Sequence, residues 1–382
     1  MSTKFELYDY QQEVLDLDRN RMGIAHDAGL GKSYTAMGLI EKANNYTIII
    51  SPKKVGEEWQ ERISSGMVNA EFFTKEQFKK EKRKYNVPIT LVIDECHHYA
   101  NNKSMMFKHM LDFIKKNNVT HLYIMTATPY RSSWLNVYCY YLLLGLIEKS
   151  VYKAWQEHFT EPMRMGALLI RKNKDTPETR EEIQKLIADI FHMKSVVNEN
   201  NTHTDMPISL PYIDTKDCVS WHEEYRLENR ESDKVVWIKK FIETHKSAVI
   251  VCFYISEVEY LKSIFNCPTI YGKTDRTAYS KEKTPVLIIQ CDTGEGYSLP
   301  DYDNMIFYSY SYKYISFVQV TGRIDRDSLE NPTKNNYYYL INKKKKGKSF
   351  DEEILNSLRD KKDFSINSIQ KLYPQKGTQE IL

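Results

Sequence analysis

The stretch Met22-Gly23-Ile24-Ala25-His26-Asp27-Ala28-Gly29-Leu30-Gly31-Lys32-Ser33 decides how this chain is read. An apolar, strand-like run from Met22 to Ala25 gives way to glycines, and a helix-forming segment opens at Ser33. In that setting Gly29 and Gly31, with Leu30 between them, let backbone N–H groups approach phosphate oxygens. The helix N-terminus adds the positive end of its dipole. Lys32 then reaches β- and γ-phosphates, and Ser33 holds Mg²⁺. The general pattern for such a loop starts with Gly, where this chain has His26.

Outward from the loop, β-branched runs alternate with helical stretches. Thr47–Ser51, Ile89–Asp94 and His121–Thr126 read as further strands, with helices over 33–43 and 104–116 between them. Continuously apolar strands separated by helices predict a parallel sheet covered on both faces. The pattern returns at Ala248–Phe253, Pro285–Gln290, Asn304–Ser309 and Tyr337–Ile341. The expected fold is therefore α/β, with two tandem lobes. Trp134–Ile190 has Leu, Ile and Tyr at helical spacing and reads as mostly helical, and Asn198–Asp205 reads as a polar loop. The expected domains are 1–135, a helical linker or insert over 136–205, a second lobe over 206–345, and a helical tail over 346–382. In the tail, Ser349 with Glu352 forms a capping-box start for a helix running to about Asp360.

The run Leu91-Val92-Ile93-Asp94-Glu95 is an apolar strand ending in two carboxylates. Burying both is costly, so they belong at the carboxyl edge of the sheet, where ligands bind. Asp94 is placed to hold Mg²⁺ through water, and Glu95 to orient and deprotonate an attacking water. Cys96-His97-His98 also contains transition-metal ligand types, but a structural zinc site needs four convergent ligands and none is paired elsewhere in sequence. His97 fits better as a link from this site to the second lobe.

Together these motifs resemble superfamily-two helicases, whose signature DExH box is matched by Asp94-Glu95-Cys96-His97; many members also lack the first loop Gly. Leu7-Tyr8-Asp9-Tyr10-Gln11 resembles the family's adenine-reading glutamine motif, which implies Tyr10 and Gln11 at the nucleotide. Thr126-Ala127-Thr128-Pro129 resembles the motif linking hydrolysis to movement, which implies a coupling role for Thr126 and Thr128. Gln319-Val320-Thr321-Gly322-Arg323-Ile324-Asp325-Arg326 resembles the second-lobe arginine motif. It implies that Gln319, Arg323 and Arg326 complete hydrolysis, the arginines meeting charge that develops on the γ-phosphate. Such a cation is worth roughly 10³–10⁵ in rate.

Ile50-Ser51-Pro52-Lys53-Lys54 with Trp59, Ile170-Arg171-Lys172-Asn173-Lys174-Asp175, and Thr293-Gly294-Glu295-Gly296-Tyr297-Ser298-Leu299 are similar to segments of Swi/Snf-type duplex-DNA translocases. That likeness implies tandem RecA-like lobes and backbone contacts to DNA from Ser51, Pro52, Lys53, Thr74, Thr293 and Gly294. The large inserts of chromatin remodellers are absent, and Tyr130-Arg131-Ser132 and Asp327-Ser328-Leu329 stand where the family has other residues. The compact form resembles phage or bacterial members. The resemblance implies an ATP- and Mg²⁺-dependent ATPase moving along DNA, with duplex as the expected track and replication or recombination proteins as partners. The alternatives are a strand-separating DNA or RNA helicase, or an ATP-switched nucleic-acid clamp or adaptor.

Composition bounds these readings. A formal net charge of +3 gives no global positive field, so any basic groove is local. The longest apolar stretch, Val137–Ile147, is short of the roughly 20 residues of a membrane span. Met1-Ser2-Thr3-Lys4-Phe5-Glu6 lacks the pattern of a signal peptide. Six cysteines with no Cys-x-x-Cys pair fit free thiols better than a disulfide framework. A cytoplasmic, monomeric protein is the expectation.

Overall fold

Runs that are apolar at nearly every position build the centres of two parallel sheets, one in each of two units, Met1–Val196 and Val197–Leu382. The computed structural model describes residues 5–27, 29–53, 56–129, 133–165, 168–195, 199–210, 221–230, 232–272, 284–293, 299, 301–325, 334–345 and 347–360.

In the first unit the chain runs α1 (Asp9–Asp16), β1 (Arg21–His26), α2 (Lys32–Ala43), β2 (Tyr46–Ser51), α3 (Gly56–Ser64) and β3 (Glu71–Thr74). It continues through α4 (Lys75–Phe78), β4 (Ile89–Ile93), α5 (Met105–Lys116), β5 (Val119–Met125), α6 (Leu135–Leu144) and α7 (Tyr152–Phe159). A hairpin, β6 (Thr160–Met165) with β7 (Leu168–Asn173), then α8 (Pro177–Ile190) and β8 (Phe191–Lys194), completes the unit. The sheet order is β3-β2-β4-β5-β1-β8, and all its described pairings are parallel. Alternate residues serve two cores. Ile48, Ile50, Leu91 and Ile93 pack on one face, while Ile49 and Val92 pack on the other. This is why residues 48–50 and 91–93, the centres of these strands, are continuously apolar.

Parallel strands bring their carboxyl ends to one edge. β1 ends at the glycine loop, β4 at Asp94, β5 at Thr126, β2 at Ser51 and β3 at Thr74. β1 and β4 stand on either side of β5, so the glycine loop and the acidic pair face the same edge one strand apart. Ligands bind at such an edge in open α/β sheets.

The stretch read as mostly helical does carry α6, α7 and α8, but it also carries β6 and β7, and β8 follows directly after it. Arg171, in the basic segment, lies on β7 and donates to Thr160 Oγ1 at 2.8 Å and Thr160 O at 2.8 Å. β8 joins the first unit's sheet beside β1, where Phe191 lies across Gly23. A Cβ on Gly23 would sit 2.2 Å from the Phe191 ring, so glycine is required for this approach.

The second unit opens on β9 (Thr202–Ser209), whose first half falls in the region read as a loop. Then come α9 (Trp221–Arg230), α10 (Lys234–His245), β10 (Ala248–Cys252), α11 (Ile255–Phe265), β11 (Thr269–Ile270) and β12 (Val286–Gln290). β13 (Asn304–Phe307), α12 (Tyr314–Thr321), β14 (Asn336–Lys343) and α13 (Phe350–Arg359) follow. The order is β11-β12-β10-β13-β14-β9, again parallel in its described pairings. Ser349 caps α13 as expected, accepting from Glu352 N at 3.2 Å while its own N–H donates to Glu352 Oε2 at 2.9 Å. The chain is thus two RecA-like α/β lobes in tandem, each a parallel sheet flanked by helices. Among the described residues, no helix is long and apolar enough to cross a membrane.

Candidate nucleotide site

The glycine loop adopts the backbone its sequence demands. Gly29 and Gly31 have φ of 86° and 63°, in the left-handed region that favours glycine. Gly31 is also the N-cap of α2, and a Cβ there would lie 2.6 Å from Gln11 Nε2. Its missing side chain therefore admits Gln11, whose amide donates to Leu30 O at 3.3 Å and Gly31 O at 3.2 Å. Tyr10 Oη donates to Leu30 O at 2.8 Å. Gln11 Oε1 accepts from Tyr8 N at 3.0 Å, inside the capping box of α1. Tyr10 and Gln11 thus grip the loop backbone, and adenine recognition by Gln11 requires its amide to leave those carbonyls.

Lys32 begins α2, and its ammonium donates to the carbonyls of His26 at 2.9 Å and Asp27 at 3.2 Å. Phosphate oxygens would replace these acceptors. Ser33, one position on, is half-buried at the helix start. Ala28 lies outside the described residues.

Asp94 is buried at the end of β4. Its Oδ2 accepts from Trp59 Nε1 at 2.8 Å and from Ser51 Oγ at 3.4 Å, and its Oδ1 accepts from Glu95 N at 2.9 Å. Burial raises its pKa above the usual carboxylate range, against the Trp59 hydrogen bond and the charge of Lys32, which lower it. A carboxylate has about four lone-pair sites. Three donors already use most of them, which suits a contact to Mg²⁺ through water. Ser33 and Asp94 supply the hard oxygen donors that Mg²⁺ selects. Among the described residues, no cluster of three or more His, Cys, Asp and Glu side chains could hold a metal ion.

Glu95 has φ of 47°, a left-handed conformation rare for a residue with a side chain. It sits at the start of the short 3-10 helix Cys96–His98. Its Oε2 is 3.2 Å from His97 Nδ1, and that same nitrogen is 2.7 Å from Thr126 Oγ1. Thr126 Oγ1 in turn accepts from Thr128 N at 3.0 Å. One ring nitrogen therefore faces two oxygens. When Nδ1 carries a proton it can donate to Glu95. When it does not, the Thr126 hydroxyl can donate to it, and the carboxylate is released. His97, Thr126 and Thr128 are brought together with Glu95.

His26 is fully buried, and its Nε2 is 3.0 Å from His192 Nδ1. Its pKa is pushed down from the ordinary 6.5 to about 3, first by burial, then by His192, Lys32 and Lys194. The folded protein therefore refuses a proton that the unfolded chain accepts below about 6.5, and stability falls with pH through the window between the two values. The contribution is about 1.4 kcal/mol per pH unit well inside that window. Denaturation midpoints measured at pH 6.5 and pH 5 should thus show a steeper acid loss in the unmodified protein than in His26→Gln. Equal slopes would contradict this account.

The remaining positions are less uniform. Ser51, expected at a DNA surface, is fully buried with its hydroxyl on Asp94. Thr74 caps α4, accepting from Gln77 N at 3.3 Å. Pro52 is half-buried, its carbonyl accepting from Gly56 N at 3.0 Å, and Lys53 is exposed. In the second unit Thr293 ends a short turn after β12. Gln319 is half-buried on α12, and the helix stops at Thr321, so Arg323 follows a turn at Gly322 rather than continuing the helix. Arg323 is buried, and its carbonyl accepts from Leu299 N at 2.9 Å. Arg326 and Gly294 lie outside the described residues. Reasoning from the sequence missed the donors to Asp94. It also missed His192, Lys194 and Ser195, which reach the glycine loop from a strand with no apolar signature.

No family model matches the chain, and no curated protein does. Among solved structures it is similar to the Sulfolobus solfataricus SWI2/SNF2 ATPase core in complex with dsDNA, at 14% identity, a TM-score of 0.44 and 89% coverage of each chain.

Proposed function

We propose that this protein hydrolyses ATP with Mg²⁺ and uses the energy to move along DNA, with duplex as the track. The observation that carries the reading is the single sheet edge where the glycine loop, Asp94, Glu95 and the His97–Thr126–Thr128 contacts meet. In this reading the loop N–H groups and Lys32 hold the phosphates, and Ser33 and Asp94 hold Mg²⁺ with water. The metal supplies charge neutralisation at the phosphates. Glu95 takes the proton of the attacking water, and His97 reports its state to Thr126. Gln319, Arg323 and Arg326 are the second unit's proposed contribution to hydrolysis. Pro52 and Lys53 of the first unit and Thr293 and Gly294 of the second are the proposed backbone contacts to DNA, which position a strand without reading bases.

The test is the ATPase rate in duplex DNA, single-stranded DNA and RNA. Strong stimulation by duplex DNA, together with triplex displacement, is expected. A rate indifferent to all three nucleic acids would remove the motor reading and leave a nucleotide-binding protein. Stimulation only by single strands, with unwinding of forked substrates, would favour a strand-separating helicase.

A further inference from the structure

We propose that His192 and Ser195, at the end of the strand that closes the first unit, are positioning residues for the glycine loop. The inference rests on the nucleotide reading of that loop. The strand, β8, runs parallel to β1 with Ile24 opposite His192 and His26 opposite Lys194. Its residues meet the loop at three points. Asp27 N donates to Lys194 O at 3.0 Å. Ser195 Oγ donates to Asp27 Oδ2 at 2.7 Å. His192 Nδ1 lies 3.0 Å from His26 Nε2. His26 and Asp27 are the two residues whose carbonyls accept from Lys32. The strand therefore sets where the phosphate-binding ammonium and the start of the loop sit.

The hydrogen-bond pattern assigns the protons. His26 Nδ1 is buried with no partner among the described residues. Leaving a bare lone pair there costs less than burying an N–H, so the proton belongs on Nε2, which donates to His192 Nδ1. His192 then carries its own proton on Nε2, which lies 3.6 Å from Glu13 Oε2. Glu13 is on α1, the helix whose Tyr10 and Gln11 grip Leu30 and Gly31. Lys194 stands over the Tyr10 ring at 5.4 Å. One strand thus tethers both the loop and the helix that clasps it. Among the described residues, Tyr10 from α1, Lys32 from α2, and His192 and Lys194 from β8 stand around His26, with Glu13 of α1 on the far side of His192.

Removing the acceptor at position 192 strands a buried N–H on His26, and the loop must shift to satisfy it. A small displacement of positioning groups is costly to binding. Glu95, just beyond β4, makes none of these contacts. The experiment measures the affinity of a fluorescent ATP analogue and steady-state ATPase kinetics in the full chain. His192→Leu is expected to weaken the analogue about tenfold and raise KM alike, the scale of one buried hydrogen bond, with kcat within about twofold. His192→Asn returns an acceptor oxygen near the Nδ1 position and should restore affinity to within about threefold. Ser195→Ala, at an exposed side chain outside the core, should weaken binding about threefold and serves if His192→Leu does not fold. Unchanged affinity in His192→Leu or, should that variant not fold, in Ser195→Ala overturns the proposal, as does an Asn variant no better than Leu. Lys32→Ala separates the two ideas. If it binds the analogue as tightly as the unmodified protein, the nucleotide reading has failed. If it loses binding while both β8 variants keep it, only the positioning role has failed.

Discussion

Glu95→Gln is expected to reduce ATP hydrolysis by about 10²–10⁴-fold while leaving nucleotide binding intact, the range a positioned general base supplies. The amide keeps the shape of the carboxylate but cannot take a proton from water. Binding should survive because the phosphate contacts belong to other residues, Lys32 and the backbone of Gly29 to Ser33. Lys32→Ala should do the reverse and abolish binding, since no other described loop side chain brings a positive charge to that position. The pair is informative because the two residues occupy different strand ends of one sheet, β4 and β1. Equilibrium binding of a fluorescent ATP analogue and single-turnover hydrolysis separate the effects. A Glu95→Gln protein with normal turnover would show that the water is activated elsewhere.

Lys234→Met is expected to destabilise the second unit by about 3–5 kcal/mol, the cost of breaking a buried ion pair from one side. Lys234 has no exposed surface, and its ammonium donates to Asn229 Oδ1, Tyr308 O and Asp351 Oδ2, each at 2.6 Å. All three of its protons are used. Asp351 is also buried and accepts from Asn342 N at 2.9 Å, so the network ties α9, α10, the end of β13, β14 and α13 together. Methionine fills much of the same volume but leaves the Asp351 carboxylate buried without its counter-charge. Adding Asp351→Leu removes that charge as well, and the double variant should recover most of the loss, because an apolar replacement of a whole buried pair is often tolerated. Hydrogen exchange of the β10 and β13 amides reads the second unit by itself. If the single variant exchanges at the unmodified rate, the ion pair does not hold this core together.

Neither network was legible along the chain. Lys234 reads as an ordinary surface lysine at a helix start, and only the packing of five separated elements shows that it is enclosed. Trp59 was quoted for a likeness, yet its contribution is a hydrogen bond to Asp94 across 35 positions of chain. By contrast, the loop from Gly29 to Ser33, the Asp94–Glu95 pair and the Thr126–Thr128 motif could be found without coordinates. Each is a local pattern whose chemistry needs consecutive residues at the end of an apolar strand.

The strands divide the same way. The sequence alone marked β1, β2, β4, β5, β10, β12, β13 and β14, and these are the interior strands of the two sheets. An interior strand of a parallel sheet is buried on both faces, so it carries a near-continuous apolar run, and that is visible in one dimension. The edges, β3, β8, β9 and β11, were not marked. An edge strand meets a partner on one side only and tolerates, or needs, polar residues. Phe191-His192-Met193-Lys194 therefore carries no strand signal along the chain, and Thr202-His203-Thr204-Asp205, the start of β9, reads as loop until its neighbours are known. The sequence by itself determined the interior of the two sheets and the glycine loop and acidic pair proposed to hold nucleotide in the first. Only the tertiary structure decided what flanks that chemistry, because His192, Ser195 and Trp59 act through partners far away along the chain, and no local pattern encodes a distant partner.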